Sequence, residues 1–462
     1  MTYWILIVAT FGYFLWHSYR KRTTSSAEHE GRPSSVNVLQ LYMTLLATAI
    51  GGGLIFALIQ FGQVAGTIGL LLGFVYCLSF IALGCLAPSI RRVCRVQSTC
   101  VGNCQSVSVV QLLSARYKET WGIILVAYLI AYIGFLAAQF VAMAELVQNL
   151  NAPLSATALI FVSGVFVLAC VGLAGFKSVL ATDVGQVVII AVILVLSVLA
   201  VFFEGVINFS HLPTDYWNPF ANVNRISLFV WLSVFLFPTL LLRPDHWQRI
   251  IAAKDDRTAK LAYGLAGGTL FAVFAVLVAV GASATVAGSS SPFYLFNQHF
   301  RGAGGFGGEL LFAGILVAFL CAVVSSADTI LNTAASATVQ TLRNHNHCKG
   351  DGVKCILSSY VGITALAMAA ALRSPDVVSL ITDGFQAMII LLPAIAAGML
   401  KKIPSNMAAK LSVLGGLIGW GVLYFLTAAS SWGYIVGFFA ALLILLFVYK
   451  IESIQNASQN ST

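Results

Sequence analysis

The chain has 462 residues, 59% of them hydrophobic and 9% charged, with a formal net charge of +9. Its apolar runs recur about every 30 residues along the whole length, the signature of a polytopic helical membrane protein in a lipid bilayer. No polar stretch is long enough for a soluble domain, which excludes a fused sensor or enzyme domain, and the Lys and Arg surplus follows loop placement, so no nucleic-acid partner is implied.

Apolar length and punctuation predict thirteen transmembrane helices: 2–19, 37–59, 66–87, 120–145, 154–173, 183–203, 226–242, 261–282, 309–342, 355–372, 377–400, 407–428 and 432–449. The first of them, TYWILIVATFGYFLWHSY, carries its basic cluster RKR on the C-terminal side. A cleavable signal has the opposite charge order, so a retained anchor with its N-terminus outside is expected.

Charge placement tests this map, because cytoplasmic loops collect Lys and Arg. With the N-terminus outside, only Arg225, Arg301 and Arg373 of the 25 basic residues fall outside. The C-terminus then lies inside, and the plasma membrane, the cytoplasmic (inner) membrane of a bacterium, is the expected location. The chain divides into an anchor helix and linker (1–36), two five-helix sets (37–203 and 204–400), and two accessory helices with a short tail (401–462).

Nine cysteines are scattered through the chain. Cys94, Cys100 and Cys104 share one inside loop, and His345, His347, Cys348 and Cys355 lie in or beside another. Their spacings match no zinc pattern, and reduced cytosolic thiols are the plainer reading. The outside loop RGAGGFGG (301–308) lacks both the Lys-Ser and the preceding strand of a phosphate cradle, so it reads as a linker.

The chemistry concentrates at two breaks. LLATAIGGG (45–53) places three glycines in an apolar stretch, where an unwound backbone must find partners for its carbonyls in protein, water or an ion. If the first span is set aside, the next ten form two sets of five, and the first member of the second set contains Pro238, which removes a donor at the corresponding position. Downstream, CAVVSSADTILN (321–332) brings the hydroxyls of Ser325 and Ser326 onto one patch with the Ala322 carbonyl. A small hard cation wants several such oxygens. Hydroxyls in membrane helices also bond back to carbonyls or join helices, and the pattern alone leaves both readings open.

Ionisable residues at depth are expensive and therefore functional candidates. Asp183 and Asp328 are deep by this map, while Glu145 and Asp383 lie near the outer interface. Arg243, the cation closest to the broken helix, is expected to pair with Asp245 at the membrane surface, beside interfacial Trp247, Gln248 and Arg249.

Four dispersed motifs, LLATAIGGG, GLAGFKSVLATDVGQVVI (172–189), DHWQRIIAAKDDRTAK (245–260) and AVVSSADTILNTAAS (322–336), occur in the order and spacing of the sodium:solute symporter family, which the chain resembles over nearly its whole length. The resemblance implies an all-α, leucine-transporter-like core of 5+5 inverted helices. It also implies a sodium site formed by the carbonyls of Ala47, Ile50 and Ala322 with the hydroxyls of Ser325 and Ser326. A second sodium position of some members would fall near Asp183, Ser325, Asp328 and Thr329, although Asp328 and Thr329 stand where those members carry hydroxyls.

The substrate pocket implied by the resemblance offers Thr48, Gly51, Gly52, Gln60, Tyr76, Gln139, Pro238, Thr239 and Gln386. An aromatic cage for a quaternary ammonium would need tryptophans where this chain has Ala49, Leu136 and Arg243. The expected activity is sodium-coupled symport of a small organic solute. A proton-coupled symporter using Asp183 or Asp328 and a non-transporting membrane sensor are the alternatives. No nucleophile, base and metal constellation suggests an enzyme.

Overall fold

The computed structural model describes residues 2–20, 22, 36–100, 109–148, 154–203, 212–286, 306–345, 347–348, 352–374, 376–399, 405–426 and 433–459. Among them the named elements are all helical, and the isolated β-type contact is a parallel bridge between Val36 and Ala253. In chain order the helices are α1 (Thr2–Arg20), α2 (Val38–Ala49), α3 (Gly52–Val64), α4 (Gly66–Cys100), α5 (Val109–Arg116), α6 (Trp121–Gln148), α7 (Ala156–Phe203), α8 (Val223–Leu241), α9 (Pro244–Ala252), α10 (Asp256–Val286), α11 (Phe306–Asn344), α12 (Gly352–Arg373), α13 (Val377–Ile389), α14 (Leu392–Met399), α15 (Asn406–Leu426) and α16 (Gly433–Gln459).

Ten helical spans among the described residues are long and apolar enough to cross a membrane, and α2 with α3 makes an eleventh, bent by 59°. The expected first span is α1. The spans expected at 154–173 and 183–203 both lie in α7, which is helical without a break for 48 residues, so no irregular loop separates them. A straight helix of that length would measure about 72 Å, more than twice the hydrocarbon thickness. Asp328 is the electrostatic neighbour of both Cys170 and Asp183.

The core is made by α11, the most enclosed of the spans, packed on α7 and α6, with α13 on α6 and α10 along α3 and α4. α6 is apolar on every face: most of it is covered by neighbouring helices, and the strip through Val126 that is not faces outward. Helices in lipid gain no hydrophobic drive to associate, so close packing of small residues matters. Gly62 and Gly281 supply it between α3 and α10: a Cβ on either would overlap the other helix's backbone, at the Val278 and Ile59 carbonyl oxygens. α15 and α16 pair with each other and are the least enclosed spans, as accessory helices would be.

Helix ends are tied by side chains. Arg225 Nη2 donates to the Val64 carbonyl at 2.6 Å at the end of α3, and its Nη1 to the Asp215 carbonyl at 2.6 Å, satisfying acceptors that a helix terminus or turn leaves open. Asp255 caps α10 by accepting from the Thr258 backbone N–H at 2.7 Å, which holds its carboxyl below the usual range. A two-bond clasp joins the chain entering α2 to the chain leaving α9. Val36 N–H donates to Ala252 O at 3.1 Å, and Lys254 N–H donates to Val36 O at 3.0 Å. Arg91 of α4 braces it through the carbonyls of Ile250 (3.0 Å) and Ala253 (2.6 Å).

Three further expectations meet the structure here. Cys348 and Cys355 form a disulfide, with Cα atoms 6.8 Å apart, where reduced thiols were expected. His345 and His347 lie against the Trp121 ring rather than around a metal position, and among the described residues no cluster of three metal-binding side chains occurs. Residues 301–305 of the glycine-rich loop and Cys104 lie outside the described residues, and 306–308 already belong to α11.

Candidate functional site

The first break falls at Ile50–Gly51, between α2 and α3. A helix that stops leaves its last carbonyls without intrahelical donors. One of these, Thr48 O, accepts from the Ser326 hydroxyl of α11 at 3.0 Å. Gly51 has φ −82°, open to any residue. What demands glycine is space, because a Cβ there would overlap Ser326 Oγ. Ala47, Ile50, Ala322, Ser325 and Ser326 are all buried around this junction.

The neighbouring hydroxyl goes elsewhere. Ser325 Oγ donates to Asp183 Oδ1 at 2.6 Å, and Thr44 Oγ1 donates to Asp183 Oδ2. The structure therefore brings the α2 break, the α11 serines and the α7 carboxylate into one oxygen-rich cluster. Asp328, also buried, stands beside Asp183 with its Oδ1 lacking a hydrogen-bond partner.

Arg249 enters the same cluster, which the sequence did not reveal. Its side chain is 1% exposed. Nη2 donates to Thr329 Oγ1 at 3.1 Å, to Thr44 Oγ1 at 3.4 Å and to Thr48 Oγ1, while Nη1 reaches the Asp245 carbonyl at 3.3 Å. Trp247, Gln248 and Arg249 were expected at the interface. All three are buried, because α9 turns inward beneath the break.

The second break also differs from expectation. Pro238 does not interrupt α8: a π-helical stretch, Trp231–Leu236, precedes it, and Pro238 opens the short α-helical end Phe237–Leu241. A wider turn accommodates the missing proline donor. Helicity stops at Leu242–Arg243, and Pro244 starts α9. Arg243 pairs with Asp245 as expected, through Nε–Oδ1 at 3.0 Å and Nη2–Oδ2 at 2.9 Å, but Asp245 is 0% exposed, so the pair lies inside the fold rather than at a surface. Tyr132 OH donates to Asp245 Oδ1 at 2.6 Å, completing its shell.

Between the two breaks a cleft is lined by Thr48, Ala49, Gly51, Leu54, Tyr76, Phe135, Gln139, Arg243, Ser326, Ile330, Ile381 and Phe385. Of the residues expected in the pocket, Thr48, Gly51, Tyr76 and Gln139 line it, and Gln139 Oε1 accepts from the Gly53 N–H at 3.2 Å. Gly52, Gln60, Pro238, Thr239 and Gln386 do not. Gly52 packs on Val323. Thr239 bonds back to Phe235 O, and Gln386 Oε1 accepts from Trp420 Nε1 at 3.1 Å. Phe135 and Phe385, 4.7 Å apart, supply the apolar wall that the sequence left unassigned. Arg243 lies over the Phe135 ring at 5.7 Å, so that aromatic face is already taken by a cation of the chain. Mostly apolar walls with a few convergent polar groups are the ordinary makeup of a small-molecule site.

No protein-family model matches the chain, and no curated protein matches it either. Solved structures do. A substrate-bound, outward-open Na+-coupled sialic acid symporter is similar at TM-score 0.74 and 14% identity, over 98% of each chain. MhsT in complex with L-phenylalanine is similar at TM-score 0.53 and 13% identity, over 91% of this chain and 99% of that one. A mutant form of the manganese transporter of Eremococcus coleocola is similar at TM-score 0.51 and 14% identity, over 92% of each chain. At these identities the likeness is one of fold, and the fold is that of a leucine-transporter-like, multi-pass membrane protein.

Proposed function

We propose that the protein is a secondary active transporter that moves a small organic solute inward with sodium by alternating access. The observation that carries this reading is the oxygen cluster at the α2–α3 break, where Ser326 meets the Thr48 carbonyl and Ser325 meets Asp183. These are the neutral and anionic oxygens a small hard cation takes. Sodium coordinated by the carbonyls of Ala47, Ile50 and Ala322 with both serine hydroxyls would tie α2 to α11 and favour the outward-open state. Separation of the two helices would dismantle the cage and release the ion inward.

The solute would occupy the cleft between the breaks, against Phe135 and Phe385, with Thr48, Gln139 and the backbone at Gly51 as polar anchors. One charge crossing 100 mV is worth about 2.3 kcal/mol, on the order of fifty-fold in accumulation. The similarity to a Na+-coupled symporter fold supports this reading, and the Lys and Arg distribution would put the N-terminus outside and the C-terminus inside, with a bacterial cytoplasmic membrane as the proposed location.

The test is a sodium-dependent thermal-shift screen of the purified protein against small metabolites, followed by uptake of the hit into proteoliposomes under an imposed sodium gradient. Binding without uptake would identify a sensor instead. A second reading, proton coupling, is favoured by one observation, the partnerless Oδ1 of buried Asp328. Uptake that ignores sodium, follows a pH gradient and is lost in Asp328→Asn would establish it.

A further inference from the structure

We infer that the solute is a small monocarboxylate with an apolar body, its carboxylate seated in the cleft against Arg243, Tyr76 and Gln139. The inference rests on the solute-transport reading and deepens it.

The cleft lining carries charge of one sign. Among the described residues that line it, Arg243 is charged at neutral pH and no carboxylate occurs. Its partner Asp245 is 0% exposed and fully engaged: Arg243 Nε and Nη2 hold its two oxygens, Tyr132 OH donates to Oδ1, and Arg249 Nη1 stands 3.9 Å from Oδ2. Two guanidinium groups thus share one carboxylate, and the excess at the pair is positive. Asp183, the carboxylate beyond Thr44, belongs to the cation cluster rather than to the cleft. An ammonium solute would meet no counter-charge, and the Phe135 ring that could cradle it already carries Arg243. An anion entering so poorly screened a space meets attraction instead.

Hydrogen-bond polarity points the same way. Arg243 Nη1 takes no part in the Asp245 pair, and a guanidinium nitrogen only donates. Gln139 Oε1 is occupied by the Gly53 N–H, which leaves its Nε2 to donate. Tyr76 neighbours Arg243, which offers its hydroxyl proton no acceptor. Such donors suit an acceptor-only anion, and a planar carboxylate matches the guanidinium edge. A phosphate would bring a second negative charge, for which no second cation lines the cleft. A polyol fits less well, because Gln139 Oε1 and Thr48 O are already taken, the latter by Ser326, and its hydroxyl protons would lack acceptors. Leu54, Phe135, Ile330, Ile381 and Phe385 make up most of the remaining wall, which asks for an apolar body. Moved with one sodium ion, such a solute carries no net charge and draws on the sodium gradient; a second ion would add the potential.

The test compares thermal shifts of the purified full-length protein in saturating sodium with isovalerate, phenylacetate and benzoate, with the primary amide of each, and with isoamylamine and benzylamine. At least one acid is expected to raise the transition temperature, with half-saturation about tenfold or more below that of its amide, and neither amine should bind. Arg243→Gln, shown to be folded by its own transition, is expected to lose the preference for acid over amide. No shift from any acid, an amide or amine that binds as tightly as the acids, or a folded Arg243→Gln that keeps the preference overturns the inference. The first two outcomes decide even if the variant does not fold. The two readings fail separately. An acid that binds but is not taken up into proteoliposomes removes the transport reading and leaves the carboxylate site. Uptake of a neutral or cationic solute under a sodium gradient leaves transport and removes the carboxylate.

Discussion

Gly51 of the first break and Ser326 of α11 stand so close that a Cβ on the glycine would overlap the serine hydroxyl and lie 2.8 Å from its Cβ. Since the Gly51 backbone is ordinary, the glycine serves approach rather than flexibility. Under the proposed reading, in which sodium sits between these two elements, they would have to meet this closely.

Gly51→Ala is therefore expected to destabilise the protein by about 1–3 kcal/mol, the usual cost of overpacking, and to weaken sodium binding with it. Gly264→Ala in α10, where a Cβ has open space, should be neutral or stabilising by about 0.5–1 kcal/mol. Thermal unfolding of the two variants side by side is the measurement. Equal transition temperatures would mean that the α2–α11 contact yields without cost.

Ser326→Ala removes a hydroxyl bonded to Thr48 O and assigned to the cage. Loss of one such group is worth about 1–1.5 kcal/mol, so the sodium concentration for half-maximal uptake should rise on the order of tenfold in a protein that still folds. An unchanged sodium dependence in both Ser325→Ala and Ser326→Ala would remove the assigned site.

Asp245→Asn leaves Arg243 buried against a neutral partner. Breaking a buried pair typically costs about 3–5 kcal/mol, whereas Tyr132→Phe, which deletes only the 2.6 Å bond to Asp245, should cost about 1–3 kcal/mol. The order of the two transition temperatures checks the assignment, and a milder Asp245→Asn would place the pair in contact with water.

Thr214→Cys and Asp255→Cys, both at exposed loop positions, should react with an impermeant thiol reagent from opposite sides of the membrane, Thr214→Cys from outside. Labelling of both from one side would break the inside and outside assignment drawn from the Lys and Arg distribution.

The break at Gly51 and the serine pair were legible because glycine runs and paired hydroxyls are rare enough in apolar segments to stand out by residue type alone. Arg249 was not. DHWQRII has the composition of an interfacial segment, and only the path of α9 makes it interior. A signal was available in Thr44 and Thr48, four residues apart on an apolar helix and so on one face, with Thr329 downstream. Pro238 misled for the opposite reason. Its missing donor was real, but the π-helical turn before it absorbed the defect, so the interruption moved to Leu242–Arg243. Phe135 and Phe385 stayed unassigned because aromatic residues in membrane helices are too common to mark a wall without its cavity.

The clasp at Val36 has a mechanical meaning. It fastens the start of α2 to the end of α9, so in any motion that keeps these bonds the two helices would share a pivot and act as one lever. Thr44, Thr48 and Arg249 ride on that lever, while Thr329 belongs to α11 on the other side. Of the three threonine contacts of the guanidinium, the 3.1 Å bond to Thr329 alone crosses the boundary. Together with the Ser326 bond to the Thr48 carbonyl, it is a tie that any separation of α11 from that unit would have to break.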